Sequence, residues 1–292
     1  GKTIINAKEK DIPNANITRV PAVLVQSRGV IDVVYYEEPF TFKNEMWAYT
    51  ADDKTAVKFL YYVLKNNIQK FRDAASGMGS LPQISLSVTE DFRIPVPPLA
   101  VQQEIVRILD SFTELTAELT AELTAELTAR RKQYEYYRDQ LLTFGDEVPY
   151  RSLGDMCNIV DYRGKTPRKV EDGIFLVTAK NIRMGYIDYE KSKEFISPDN
   201  YAEVMRRGIP EIGDVLITTE APCGNVAQID RENIALAQRV IKYRPKGKEL
   251  NSTYLKYVLL GKEFQSKLEN TATGGTVKGV KGSKLHKLTI PI

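Results

Sequence analysis

The chain has 292 residues, 42% of them apolar and 27% charged, and a formal net charge of +3. That length suits about two domains, and the composition excludes a disordered or fibrous protein. No run of 18 apolar residues is present, so no bilayer-spanning helix is predicted. Gly1-Lys2-Thr3 does not open a signal peptide. The two cysteines, Cys157 and Cys223, are too few for a disulfide framework, which makes a reducing cytoplasm the expected setting.

Charge is uneven along the chain. Residues 1–100 carry 12 basic against 11 acidic side chains, residues 101–150 carry 5 against 10, and residues 151–292 carry 24 against 17. In chain order, FLYYVLKN (59–66) predicts an aromatic amphipathic helix, SGMGSLPQISLS (76–87) a Gly-rich turn, and RIPVPPL (93–99) a strand ending in Ile-Pro. From Ala100 to Phe144 there is neither Gly nor Pro, and the tetrapeptide Thr-Ala-Glu-Leu runs three times from Thr116 to Leu127. Strong helix formers without breakers predict one helix of roughly 40 residues, about 60 Å long. Leu115, Leu119, Leu123 and Leu127 recur every fourth residue, and Ile105 and Leu109 extend the same face toward the helix start. A single apolar stripe on so long a helix predicts a partner helix.

After Gly145 the first pattern returns. YLKYVLLG (254–261), TGGTVKGVKGSK (273–284) and LTIPI (288–292) follow the earlier three segments in order, about 195–197 residues on. GNVAQID (224–230) matches GVIDVV (29–34) upstream. Three matches in register predict a duplicated domain.

Signals for catalysis are poor. The single histidine, His286, lies in a Lys-rich stretch and reads as a surface residue. Cys157 and Cys223 have no Cys-x-x-Cys spacing for structural zinc. Gly164-Lys165-Thr166 lacks the glycine that completes a P-loop, and Pro167 opposes the helix such a loop feeds. No G-x-G-x-x-G appears, and no Asp/Asn-Pro-Pro-aromatic tetrapeptide of amino-methyltransferases.

What remains suits binding. Arg163, Lys165, Thr166, Arg168 and Lys169 crowd one predicted loop. Lys180, Asn181 and Arg183 follow an apolar strand, Ile174–Val177. Thr276, Lys278 and Lys281 continue the second Gly-rich turn. Lysines meet phosphates as point charges, and Thr, Asn and Arg also read base edges. Three basic polar loops in one domain point to an acidic partner.

The helix and loop residues together resemble the specificity subunits of type I restriction–modification enzymes. PPLAVQQEIVRILDSF (97–112) is similar to the start of that family's conserved helical region, which the tetrapeptides and RRKQYEYYRDQLLTF (130–144) continue. DYRGKTPRK (161–169), IPEIGDVLIT (209–218) and TGGTVKGV (273–280) are similar to further family segments in the same order. The resemblance implies an α+β chain of two mixed target-recognition domains. Residues 1–96 would be the C-terminal part of the first, 97–146 a conserved spacer helix that pairs with a second conserved helix as a coiled coil, and 147–292 the second. The front of the first domain and the second helix are not in this sequence.

The resemblance also implies that the acidic partner is double-stranded DNA, and that the chain is a non-catalytic subunit that reads a split DNA site and docks two methyltransferase subunits together with restriction/translocase subunits. S-adenosylmethionine, ATP and Mg would belong to those partners, with no cofactor or metal on this chain and no membrane contact. Two other readings stand beside it. One is the target-recognition part of a fused methyltransferase or restriction enzyme, whose catalytic region would be absent here. The other is a structural coiled-coil adaptor, which explains the helix but not the basic loops.

Overall fold

The computed structural model describes residues 6–12, 15–42, 45–76, 81–162, 166–275 and 278–292. The chain divides into two compact units, residues 1–125 and 126–292.

The first unit is built on an antiparallel sheet of β1 (Ala22–Gln26), β2 (Asp32–Tyr36) and β3 (Met46–Tyr49), in the order β2-β1-β3. Helices α1 (Lys54–Asn66) and α2 (Ile68–Asp73) follow. Asp53 starts α1 by accepting the amides of Thr55 and Ala56 at 2.8 and 3.0 Å, satisfying donors that a helix start otherwise leaves open. Val23, Val25 and Val33 of the sheet pack with Val57, Leu64 and Phe71 of the helices into one core. The turn after α2 closes through bridges from Gln83 to Ser76 and to Arg28, and a short helix α3 (Leu86–Glu90) follows.

The segment 93–99, expected to hold a strand ending in Ile-Pro, holds none. The corresponding segment of the second unit is a strand because it has a partner to pair with. Among the described residues of the first unit, no strand occupies that partner's place.

Helix α4 (Leu99–Leu141) has 43 residues, about 64 Å at 1.5 Å per residue. The division between the units falls within it. Its first turns are anchored in the first unit. Gln102 and Val106 are buried, and Asp110 accepts the Tyr62 hydroxyl at 2.6 Å and pairs with Lys58 at 2.8 Å. The predicted stripe is split. Ile105 and Leu109 are half-buried, whereas Leu115, Leu119, Leu123 and Leu127 are 51–69% exposed.

The second unit opens with β4 (Tyr150–Ser152), α5 (Leu153–Met156), β5 (Cys157–Asp161), β6 (Lys169–Val170), β7 (Ile174–Val177), β8 (Phe195–Ile196) and α6 (Tyr201–Val204). It continues with β9 (Val215–Thr219), β10 (Cys223–Gln228), β11 (Ile234–Leu236), β12 (Val240–Pro245), α7 (Ser252–Leu260), α8 (Lys262–Thr271), α9 (Gly282–Leu285) and β13 (Thr289–Pro291). One sheet runs β10-β9-β12-β5 and is antiparallel; a second runs β11-β7-β8-β6; β13 pairs with β4. Strand β9 is buried on both faces. Val215 and Ile217 enter a core with Leu255, Leu259 and Phe264, and Leu216 enters another with Leu176, Ile196 and Leu236. An uninterrupted apolar run is what a strand between two cores requires.

The sequence repeat is a structural one. The order β2-β1-β3 recurs as β10-β9-β12, α1 and α2 recur as α7 and α8, and α3 recurs as α9. The bridges Ser76↔Gln83 and Arg28↔Gln83 recur as Thr273↔Gly279 and Glu220↔Gly279.

Candidate nucleic-acid interface

Strand pairing collects the candidate loops of the second unit. Strands β7 and β11 are parallel, with Val177 opposite Leu236. The chain after each, Thr178–Lys180 and Ala237–Arg239, therefore leaves the sheet at the same end. Strand β12 begins just after Arg239, and its Val240 lies opposite Thr218 near the end of β9. The Thr219 amide bonds the Arg239 carbonyl at 2.9 Å, and the Val280 amide bonds the Thr219 carbonyl at 2.9 Å. The Gln238 amide nitrogen reaches Thr166 Oγ1 at 2.8 Å. One continuous ridge thus joins the 166–169 loop, residues 237–239, residues 219–222 and the 273–279 turn.

The ridge is held in an uncommon backbone. Arg239 has φ 71° and Ala221 φ 48°, both in the left-handed region that disfavours a β-carbon. Gln238 Oε1 is buried with no hydrogen-bond partner among the described residues. Strain and unpaired polar atoms of this kind concentrate where a ligand is received.

The structure sorts the candidate residues. Arg163, Lys165 and Thr276 lie outside the described residues. Thr166, Arg168, Lys180 and Lys281 are exposed. Lys169 is exposed and pairs with Glu194 at 2.7 Å. Lys278 pairs with Glu269 at 2.8 Å, and that hydrogen bond raises its ammonium pKa above the usual lysine value. Arg183 is half-buried, 3.6 Å from Asp188. These side chains leave cationic groups at the surface, in reach of a polyanion.

Asn181 is a correction: it is fully buried. Its Oδ1 accepts from the Thr178 amide and hydroxyl at 3.0 and 2.8 Å, and its Nδ2 donates to the Asp188 and Ser192 carbonyls, both at 2.9 Å. All its ordinary bonding capacity closes the 178–192 loop. Its place in the fold is to hold the loop that carries Lys180. His286 is also not a simple surface residue. It is half-buried, and Nδ1 lies 2.9 Å from the hydroxyl of fully buried Tyr243.

Toward the opposite end of strands β9 and β12 from the ridge lies a buried ion network. Asp214 and Lys242 are 3.1 Å apart with side chains 2% and 4% exposed, and Arg244 grips Asp214 through two bonds of 2.6 and 2.8 Å. Burial works against the Asp214 carboxylate. Bonds from Arg244, the Glu211 amide and Lys242 outweigh it and hold the carboxyl below the usual carboxylate range. Burial also pushes the Cys157 thiol up to about 12 and raises that of Cys223, so neither is a ready thiolate nucleophile.

Glu220, Gln238 and Arg239 were not singled out from sequence. Only the bridge pattern aligns Glu220 with Arg28, another charged residue close after a strand; the sequence offset of the repeat does not.

A family model described as the type I restriction modification DNA specificity domain matches residues 3–129 and 146–292. The chain belongs to that family. It is 33% identical over 269 residues to the EcoR124I/EcoR124II specificity subunit of Escherichia coli, covering 82% of this chain and 60% of that one. It is 36% identical over 200 residues to the EcoprrI specificity subunit of Escherichia coli, covering 63% of this chain and 45% of the relative. The chain thus spans about half of those relatives' length. A solved structure from work on complex assembly and conformational transition of the type I R-M system covers 92% of this chain and 69% of its own, at 16% identity and a TM-score of 0.56, and shares the fold. The α+β architecture, with two mixed units and a long helix, is therefore that of type I specificity subunits.

Proposed function

We propose that this chain is the non-catalytic, DNA-reading subunit of a type I restriction–modification complex, working in the cytoplasm. Each unit reads one half of a split site in double-stranded DNA. Helix α4 spaces the two, and its exposed leucines receive the family's second conserved helix. Methyltransferase subunits dock on the helical region and bring S-adenosylmethionine; restriction/translocase subunits bring the ATP- and Mg-dependent chemistry. The observation that supports this best is the duplicated loop frame, present once on either side of α4 in the chain and, in the second unit, bordered by Thr166, Lys169, Lys180 and Lys278.

In the second unit, lysines and Arg168 settle the domain on phosphates, and the ridge presents side chains to base edges. Selection from a pool of randomised duplexes tests the reading. Two short motifs at a fixed separation are expected, with affinity falling steeply as salt rises. Binding without any sequence preference would overturn it.

A further inference from the structure

The two units carry the same backbone frame, and on it the same ion pair with its charges exchanged. In the first unit the Ser27 amide bonds the Glu45 carbonyl, the Ile84 amide bonds the Ser27 carbonyl, and Arg28 bridges Gln83. In the second, Thr219, Arg239, Val280, Glu220 and Gly279 occupy those places in the same pattern. Gly29 follows Arg28 with φ 76°, as Ala221 follows Glu220 with φ 48°. On this frame Arg28 pairs with Glu45 at 2.8 Å and Arg239 pairs with Glu220 at 3.2 Å. The arginine stands after the first strand in one unit and before the third strand in the other.

Fold stability does not account for this. All four side chains are 46–58% exposed, and pairs at such exposure contribute little. The frame is closed by main-chain bonds that do not involve them. A pair kept at one place in both copies, but with its polarity exchanged, fits a requirement for an arginine beside a carboxylate at that place, whichever strand end supplies each.

We propose that each pair reads one G·C base pair in the major groove, and that the exchange makes the two units read it in opposite strand sense. This rests on the DNA-reading function proposed above. Arg239 meets Glu220 through Nε, which leaves both terminal guanidinium nitrogens to donate to guanine O6 and N7. Arg28 meets Glu45 through one terminal nitrogen, which leaves the other and Nε for the same two acceptors. The carboxylate accepts from the N4 amino group of the paired cytosine and braces the guanidinium against rotation. It also repels phosphates, so the pair gains contact on a correctly placed base pair and not on bare backbone.

The test is selection from randomised duplexes by the whole chain and by three variants. Arg239→Gly removes the side chain at a backbone angle glycine adopts freely, so the fold is kept. It is expected to lose discrimination, by roughly 5- to 150-fold, at one G·C position of one half-site. Arg28→Ala should do the same at one position of the other half-site only. The double exchange Glu220→Arg with Arg239→Glu should turn G·C preference into C·G at the first of these positions, a reversal that loss of folding cannot imitate. A wild-type motif that Arg239→Gly and Arg28→Ala leave unchanged at every position overturns the pair as reader while DNA reading stands. A wild-type chain with no motif overturns DNA reading and this inference with it.

Discussion

The tetrapeptide segment of α4 and the loop ridge of the second unit are held by opposite means. In α4 the side-chain bonds are local. The hydroxyls of Thr113, Thr120 and Thr124 each donate to the carbonyl four residues back at 2.7 Å, and Leu119 and Leu123 remain more than half exposed. In the ridge the bonds are long-range: Gln238 to Thr166, the Thr219 amide to the Arg239 carbonyl, the Val280 amide to the Thr219 carbonyl. A locally held element tolerates a change of length, because every residue makes its bonds within one turn. An element held by distant partners tolerates a change of neither length nor composition. The first is suited to spacing and the second to reading.

The largest expected effect breaks the sheet that carries the ridge, at its far end. Asp214→Asn leaves Lys242 buried without its full counter-charge, which costs about 3–5 kcal/mol where one partner of a buried pair is lost. Denaturant unfolding should show it, and a loss under about 1 kcal/mol would mean that the network is not part of the platform. The pH dependence has a definite sign. A folded carboxyl held below its unfolded value contributes stability that is present above the ordinary aspartate range, near pH 4, and is lost as pH falls through the folded value. The wild type should therefore lose stability in acid over that window, and the Asn variant should lack this part of the loss.

Asn181→Ala comes next. It removes bonds to the Thr178 amide and hydroxyl and to two carbonyls inside a buried loop, at a cost of about 1–3 kcal/mol. Below its lowered melting point the variant should select the same DNA motif as wild type. A changed motif at full stability would make Asn181 a base contact after all.

The same contrast explains what the sequence made legible. Helix α4 could be read because helix propensity and the absence of Gly and Pro act locally, and β7 matched its apolar run residue for residue. Asn181 was misplaced because its buried state depends on carbonyls 7 and 11 residues away that composition does not reveal. Glu220, Gln238 and Arg239 were missed because left-handed backbone is not written in an arginine or an alanine, and because Gln238 finds Thr166 across 72 residues. The strand expected within 93–99 failed for a related reason: a strand is a property of a pair.

On the helix itself, replacing Leu119 and Leu123 together by Ser should change the unfolding free energy of either unit by no more than about 0.5 kcal/mol each, since exposed positions contribute little. Association through the helix should weaken instead, read by light scattering against concentration. A loss of several kcal/mol in either unit would show that the stripe is packed on its own chain.

The smallest effect on stability, and the sharpest on function, belongs to the repeat number. Three identical Thr-Ala-Glu-Leu units are more regular than a helix requires for folding. Deleting Thr120–Leu123 leaves the Thr116 and Thr124 units adjacent, so each remaining threonine again finds a carbonyl four residues back and stability should hardly move. The geometry moves more. Four residues advance a helix by about 6 Å and turn it by about 400°, a net rotation of about 40°. Adjacent base pairs are separated by roughly 3.4 Å, and a turn of 10–10.5 base pairs makes about 34–36° per step. The rotation corresponds to one base pair, and a tilt between helix and DNA axes absorbs the excess rise. The deletion variant should therefore select the same two half-sites with the gap shortened by one base pair, because no residue of the loop ridge has been touched. Unchanged half-sites at an unchanged gap would reduce the repeat to helical filler.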